Sequence, residues 1–128
     1  MNERKVLLDT HVFLWWRMDD PRLGARARAM IEYADVVFVS AASVWEAAVK
    51  QALGRLEIPE PFGAGVAASG FEPLPITFRH AEVAGALPAH HADPFDRMLV
   101  AQAKVEDLVL LTADERLSAY DVPILSCR

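Results

Sequence analysis

Five stretches of the chain have the apolar pattern of short β-strands. Four of them are rich in leucine and β-branched residues, and they cover Lys5–Leu8, Val36–Val39, Leu108–Leu111 and Val122–Leu125. A fifth stretch, Phe71–Thr77, is weaker because prolines interrupt it. Three of the four clear stretches are apolar almost throughout, which is typical of parallel strands that are buried on both faces of a sheet.

The segments between these strands carry apolar residues at helical spacing. Helices are predicted over Pro21–Tyr33, Phe78–Leu87 and Pro94–Val105. Another helix should begin after Ser40, a good N-cap, and end at Gly54. Its predicted buried face consists of Trp45, Ala48, Val49, Ala52 and Leu53. Strands that alternate with helices predict an α/β fold, a three-layer α/β/α sandwich with a central, mostly parallel sheet.

Length and composition indicate a single folded domain and exclude several other classes of protein. The 128 residues suit a single domain over 1–128, and 53% hydrophobic against 24% charged residues exclude a disordered chain. The single cysteine, Cys127, cannot form an internal disulfide, which favours a reducing compartment. Charged residues interrupt every apolar stretch well before the ~20 residues that span a bilayer. We therefore expect a soluble cytoplasmic protein without a membrane partner.

Acidic residues lie where the predicted strands end. Asp9 directly follows the first strand, and Asp114 lies just past Leu108–Leu111. Glu46 lies in the second turn of the helix that follows the second strand, and Asp96 is in the first turn of the helix before Leu108–Leu111. Because ligands bind outside the carboxyl ends of parallel strands, we expect these four side chains to converge.

Converging carboxylates indicate a metal site. They repel one another unless they are protonated or neutralised by cations, and oxygen ligands favour hard ions such as Mg²⁺ or Mn²⁺ over zinc. One or two such ions can activate water and stabilise the leaving oxygen in phosphodiester cleavage. The net charge of −5 is compatible with an acidic site neutralised by cations, and equally with a protein that has no nucleic-acid partner.

Four motifs in order along the chain resemble the PIN-domain family, and within it the VapC-type toxins of type II toxin–antitoxin pairs. They are LLDTHVFLWW, SAASVWEAAVKQALGRL, HHADPFDRMLVAQA and LLTADERL. The resemblance covers nearly the whole chain, and it implies a homodimer, a cognate antitoxin, an RNA substrate and Mg²⁺- or Mn²⁺-dependent endoribonuclease activity. It assigns metal-site roles to Asp9, Glu46, Asp96 and Asp114, with Asp9 and Asp96 binding the principal ion directly.

The remaining site predictions concern neighbouring positions. By the same resemblance, Thr10 and Thr112 are expected to support the metal site, and Asp93 is a further candidate for support. Lys50 and Arg97 are candidates for contact with RNA. Asp93 precedes a proline at the start of its helix, so it is also well placed as the N-cap.

Each acid has a local alternative to a metal role. Asp9 could be a turn residue after a strand, and Asp114 could cap a short helix. Glu46 could pair with Lys50 on an exposed helix face. Asp96 falls at a first-turn position where the helix dipole favours an acid. Only their joint placement favours one site.

The histidines and tryptophans are predicted to be peripheral to this site. His90 and His91 should lie in a solvated loop, since no other cysteine or histidine stands at zinc spacing. His11 and His80 are expected to be structural. Trp45 is predicted in the core. The Trp15–Trp16 pair should split between the core and a subunit contact.

Two other functions compete with a nuclease. An aspartate-based phosphatase would use Asp9 as its nucleophile, but that chemistry needs a second acid two residues on, where this chain has His11. A catalytically silent interaction module of the same fold is compatible with the sequence. Loss of metal binding with folding retained would favour that module.

Overall fold

The computed structural model describes residues 4–126, in which strands and helices alternate. In chain order they are β1 (Lys5–Leu8), α1 (Thr10–Met18), α2 (Ala25–Tyr33), β2 (Val36–Ser40), α3 (Ala41–Ala52), α4 (Phe62–Ala68), β3 (Glu72–Leu74), α5 (Phe78–Ala86), α6 (Pro94–Glu106), β4 (Val109–Thr112) and β5 (Ile124–Ser126). A 3₁₀-helix, Glu115–Ala119, lies between β4 and β5. Cys127 lies outside the described residues.

The described strands form one parallel sheet in the order β3-β2-β1-β4-β5. From the central strand β1 the chain moves outward to β3 and then crosses back to β4. The crossovers therefore diverge between β1 and β4, where a crevice opens outside the carboxyl ends of the strands. Pro73 lies in the edge strand β3, where a missing backbone N–H is tolerated.

Helices cover both faces of the sheet, as predicted. Because side chains alternate along a strand, Val6 and Leu8 of β1 pack against α1, α2 and α4, whereas Leu7 packs against α6. The third helix contributes to both apolar clusters, Ala47 to the first and Ala42 to the second. The three-layer α/β/α prediction is confirmed, and the sheet of residues 4–126 is parallel throughout.

Most predicted elements are present, with shifted ends, and two helices were missed. The first strand matches its predicted bounds, whereas β3 is shorter than Phe71–Thr77 and α2 begins four residues after Pro21. Helix α1 was not predicted, because its apolar residues continue directly from β1. Helix α4 lies in a segment rich in glycine and alanine, and its buried residues Phe62 and Val66, four positions apart, anchor it.

The buried face of α3 is not the predicted one. Its buried residues are Ala42, Ser43, Glu46 and Ala47. Trp45 is 60% exposed, so its predicted core position is wrong; its ring contacts Phe95 edge-on at 4.9 Å. Small side chains let α3 approach the sheet closely, and the larger apolar residues of the helix therefore project outward.

Trp15 and Trp16 differ in burial. Trp15 is 5% exposed, and Trp16 is partly buried against the ring of Phe71 at 5.8 Å. Large apolar side chains that remain exposed are Met18, Tyr33, Val44, Trp45, Leu53, Ile76 and Phe78. Within residues 4–126, none of the helices combines the length and the apolar character needed to cross a membrane.

Candidate active site

The four predicted acids line one open cleft of about 610 Å³ at the carboxyl edge of the sheet. Asp9 lies between β1 and α1, Glu46 in α3, Asp96 in the first turn of α6, and Asp114 just after β4. Four separate elements thus bring their carboxylates to one place, as expected from the positions of the acids relative to the strands.

Asp9 is held on both of its carboxylate oxygens. Its Oδ1 accepts a hydrogen bond of 2.8 Å from the backbone N–H of Val12 and so caps α1. Its Oδ2 accepts from the hydroxyl of Thr112 at 2.6 Å and from the backbone N–H of Ala113 at 3.1 Å. Burial raises the pKa of Asp9, although these hydrogen bonds act in the opposite direction. The local capping role and a place in the cleft therefore coexist.

Glu46 is buried, and its two oxygens have different partners. The hydroxyl of Thr10 donates to Oε1 at 2.5 Å, and the ammonium of Lys50 lies 2.5 Å from Oε2. The pair with Lys50 exists, but Glu46 is 4% exposed, so the predicted alternative of a solvated helix face is wrong. Lys50 also lines the cleft.

Asp93 and Asp96 occupy different positions at the start of α6. Asp93 is the N-cap, as predicted, because its Oδ1 accepts from the backbone N–H of Asp96 at 3.0 Å. Burial, and then the negative charges of Asp93, Glu46 and Asp9, raise the pKa of Asp96 to about 7. Asp96 therefore lies where negative charge is in excess.

Asp114 has the opposite electrostatic environment. Its Oδ1 accepts from the backbone N–H of Arg116 at 3.0 Å, which caps the 3₁₀-helix. The Arg116 guanidinium makes two further contacts with the carboxylate, at 3.0 and 2.8 Å. Hydrogen bonds from Arg116 and then from His91 hold the pKa of Asp114 well below its usual range. Neighbouring carboxyls with pKa values displaced in opposite directions are typical of functional sites.

His91 is a site residue that the sequence prediction missed. Its side chain is 8% exposed, and Nε2 lies 2.9 Å from Oδ2 of Asp114 and 3.2 Å from Oδ2 of Asp96. The prediction of a solvated loop is therefore wrong for His91 but correct for the exposed His90. The only sequence signal was its place two residues before the helix cap Asp93.

Arg97 lies outside the cleft. Its guanidinium donates to the backbone carbonyls of Ala84 at 2.9 Å, Leu87 at 3.0 Å and Pro88 at 3.0 Å, and so joins the end of α5 to the start of α6. The predicted contact of Arg97 with RNA therefore has no geometric support. Cleft-lining residues absent from the predicted site are His11, Trp15, Ala113, Glu115 and Arg116.

His80 has the structural role that was predicted for it. It is 1% exposed, takes part in the capping box of α5 with Thr77, and places Nε2 2.9 Å from a carboxylate oxygen of Glu106. It lies outside the acidic cleft.

The donor set of the cleft fits a hard divalent cation. Carboxylates from four elements supply oxygen ligands, which Mg²⁺ and Mn²⁺ prefer. The ammonium of Lys50, which lines the cleft, is bonded to Glu46, and the pKa of Asp96 is raised first by burial and then by the negative charges of Asp93, Glu46 and Asp9. A divalent cation between the acids would offset these negative charges.

Comparisons with known proteins agree with this architecture. The family model of the PIN domain matches residues 6–123. Ribonuclease VapC22 from Mycobacterium tuberculosis is 36% identical over 121 residues, which cover 92% of this chain and 93% of the relative. Matches of this extent show common ancestry along nearly the whole chain.

Solved structures share the fold at low sequence identity. A chain of VapBC2 from Rickettsia felis, bound to a DNA fragment from its promoter, has a TM-score of 0.71 at 11% identity and covers 97% of this chain and 99% of its own. A chain of FitAcB from Neisseria gonorrhoeae has a TM-score of 0.66 at 20% identity, with coverages of 94% and 96%. The family-model match over residues 6–123 and the relative at 36% identity show that the chain belongs to the PIN-domain family.

Proposed function

We propose that this protein is a Mg²⁺-dependent endoribonuclease, with Mn²⁺ as an alternative ion, and the toxin of a type II toxin–antitoxin pair. The observation that carries the proposal is the convergence of Asp9, Glu46, Asp96 and Asp114 on one cleft. Membership of the PIN-domain family and the similarity to a relative named as a ribonuclease support RNA as the substrate.

The four acids would have two different roles in binding the ion. Asp9 and Asp96 would bind the principal ion directly, and Glu46 and Asp114 would complete the set. The bound ion would supply activation of a water molecule and neutralisation of charge on the phosphodiester. It would also favour the ionised form of Asp96, whose pKa is otherwise raised to about 7 by burial and by neighbouring carboxylates.

The protein itself fixes two of the carboxylates before any ligand binds. Thr112 and two backbone amides orient Asp9, whereas Thr10 and Lys50 orient Glu46. Because both acids are buried and bonded, little conformational freedom is lost when the substrate binds. These hydrogen bonds support the proposed roles of Thr10 and Thr112 beside the metal site.

Two basic side chains at the cleft are candidates for contact with the RNA backbone. Lys50 lies beside Glu46, and Arg116 is 72% exposed and paired with Asp114. With a net charge of −5, the whole protein does not attract RNA over long distances. Local cations must therefore provide the phosphate contacts.

Exposed apolar side chains support the proposal that this protein binds protein partners. Large apolar side chains remain exposed at Trp45 on α3, at Leu53 directly after α3, at Ile76 before α5 and at Phe78, its first residue. We propose a homodimer and a cognate antitoxin as partners. A chain of similar fold, with a TM-score of 0.67, occurs in a toxin–antitoxin complex from Klebsiella pneumoniae.

Cleavage of total cellular RNA by the purified protein tests the proposal. We expect fragmentation in Mg²⁺, none in EDTA, and none with Asp96→Asn purified in the same way, while Asp93→Asn retains much of the activity. Cleavage that survives EDTA or Asp96→Asn would contradict the mechanism. Loss of metal binding and of cleavage in a protein that still folds would favour the silent interaction module.

A further inference from the structure

The imidazole of His91 is enclosed by the acids of the cleft and by its own loop. Its Nε2 faces one oxygen of Asp114 and one of Asp96, at 2.9 and 3.2 Å. Its other ring nitrogen, Nδ1, lies 3.2 Å from the backbone nitrogen of Asp93. Both nitrogens of a nearly buried ring are therefore engaged.

The contact with Asp93 determines which nitrogen carries the proton. A backbone N–H can only donate, so Nδ1 must accept and present its lone pair. In a neutral imidazole with Nδ1 as acceptor, the proton is on Nε2. The Nε2–H group then donates to the carboxylate of Asp114, and an oxygen of Asp96 lies 3.2 Å from the same nitrogen.

We propose that His91 is a positioning residue that donates from Nε2 to Asp114 beside Asp96 and that it is not a metal ligand; this rests on the proposed metal site. Ligand atoms of these three residues lie within 4.8 Å of one another, as they would if all three bound one ion. Ligation through Nε2 would require a lone pair there and a proton on Nδ1. That proton would face the N–H of Asp93, donor against donor.

The surrounding loop keeps the ring in this orientation. The backbone N–H of His91 donates to the hydroxyl of Tyr120 at 3.0 Å, and Arg97 donates to the carbonyls of Pro88 at 3.0 Å and His91 at 3.4 Å. Since the backbone is bonded on both sides of the ring, His91 cannot withdraw without breaking several hydrogen bonds. The Nε2–H group is bonded to Asp114 and lies 3.2 Å from Asp96, so its partial positive charge offsets part of the repulsion between the two acids.

The tautomer can be measured directly by ¹⁵N NMR of histidine-labelled protein without RNA, at a pH well above the range in which free imidazole is protonated. We expect the Nε2–H tautomer for His91 both before and after addition of Mg²⁺ alone. His80 is an internal reference, because the backbone N–H of Thr77 donates to its Nδ1 at 3.1 Å. A change of His91 to the Nδ1–H tautomer when Mg²⁺ is added would overturn the proposal.

Two substitutions separate positioning from ligation by calorimetric titration with Mg²⁺, again without RNA. The amide of His91→Gln can donate in place of Nε2–H, whereas His91→Phe fills the space without a donor. We expect His91→Phe to weaken Mg²⁺ binding ~10–100-fold and His91→Gln to retain most of the affinity. Melting curves identify a variant that fails to fold, and His90→Gln, at the exposed neighbouring position, should match the wild type.

The outcomes are distinguishable from failure of the proposed ribonuclease. If His91→Gln folds normally but binds Mg²⁺ as weakly as His91→Phe, the imidazole itself is required and the positioning role is wrong. Unchanged affinity in a folded His91→Phe would also overturn it. A protein that binds Mg²⁺ but cleaves no RNA would contradict the proposed function and leave the measurements on His91 valid.

Discussion

The carboxylate of Asp93 accepts a hydrogen bond of 3.0 Å from the backbone N–H of Asp96, three residues further along α6. One acid therefore caps the helix, and the carboxylate of the other is left to face the cleft. The two residues are close in sequence and share a negative charge, yet their side chains have different partners. This separation makes them a matched pair for mutagenesis.

Asparagine at each of these positions should have opposite consequences. Asp93→Asn should fold nearly as the wild type and retain much of its activity, because asparagine is as good an N-cap as aspartate. Asp96→Asn should also fold but lose cleavage by about a hundredfold or more, on the order of 3 kcal/mol of barrier. Single-turnover cleavage rates measured beside melting curves test both. An inactive Asp93→Asn with an active Asp96→Asn would reverse the assignment.

Divalent cations should stabilise the folded protein. At ~100 times the Kd, Mg²⁺ should add about 2.7 kcal/mol to the free energy of unfolding. Asp96→Asn should remove most of this response and raise the metal-free melting temperature, because it relieves repulsion among the acids. Asp9→Asn is a poorer test, since its amide would place a donor against Thr112 or a backbone N–H. Stabilisation by Zn²⁺ but not by Mg²⁺ would refute the hard-cation assignment.

The metal-free protein should lose stability as pH rises from about 4 to about 7. The pKa of Asp96 is raised from 3.8 to about 7 by burial and by nearby negative charges, so the folded state binds this proton more tightly than the unfolded state. Its stabilising contribution is complete below 3.8 and is lost as pH passes through the folded-state pKa.

Urea unfolding in EDTA across this pH range, compared between wild type and Asp96→Asn, measures the effect. Asp20, beside Arg22, and Asp114 have lowered pKa values, so they change the free energy of unfolding only below this pH range. They should not hide the contribution of Asp96. The difference between the two proteins should follow the titration of Asp96. If wild type and Asp96→Asn lose stability in parallel as pH rises, Asp96 does not cause the loss.

Lys50 should stabilise the metal-free cleft. Lys50→Met leaves the buried carboxylate of Glu46 with only Thr10 as a side-chain partner, which should cost about 1–3 kcal/mol in EDTA. Saturating Mg²⁺ should recover part of this loss, because the cation replaces the missing positive charge. Thermal unfolding with and without Mg²⁺ tests this, with Arg26→Met at an exposed position of α2 as the control. An equal loss in both conditions would contradict a shared electrostatic role.

Light scattering should report a homodimer with a mass near twice the 14.2 kDa of the chain. Trp45→Lys should shift the protein toward the monomer, because it places a charge in the exposed apolar surface of α3. Tyr33→Lys tests the alternative surface on α2, where Tyr33 is 74% exposed. A monomeric wild type at micromolar concentration would refute the dimer.

The sequence predicts the strands and the acid cluster well because both depend on local pattern and on a general rule of parallel sheets. It predicts the wrong buried face of α3 because the helix has two stripes of apolar or small residues, and either could pack against the sheet. Trp45 and Leu53 form the more hydrophobic one, whereas the stripe of small residues around Glu46 fits against the sheet. Hydrophobic periodicity identifies a helix, but close packing selects which face is buried.

His91 could not be placed from local sequence because distant residues fold its loop inward. The hydroxyl that bonds its backbone belongs to Tyr120, 29 positions later, and the carboxylate of Asp114 is 23 positions away. The exposed neighbour His90 is the same residue type in the same loop. Only the tertiary fold distinguishes the two.

The hydrogen bond from Thr112 to Asp9 joins residues 103 positions apart and has a consequence for the order of events on the ribosome. Asp9 is translated first, and β4, the strand that pairs with β1 on the Thr112 side, follows about 100 residues later. A nascent chain that stops before residue 109 lacks β4, Thr112 and Asp114, and so has no complete cleft. Assembly of the four acids must therefore wait until β4 and Asp114 have been made, so a shorter nascent chain cannot form the proposed metal site.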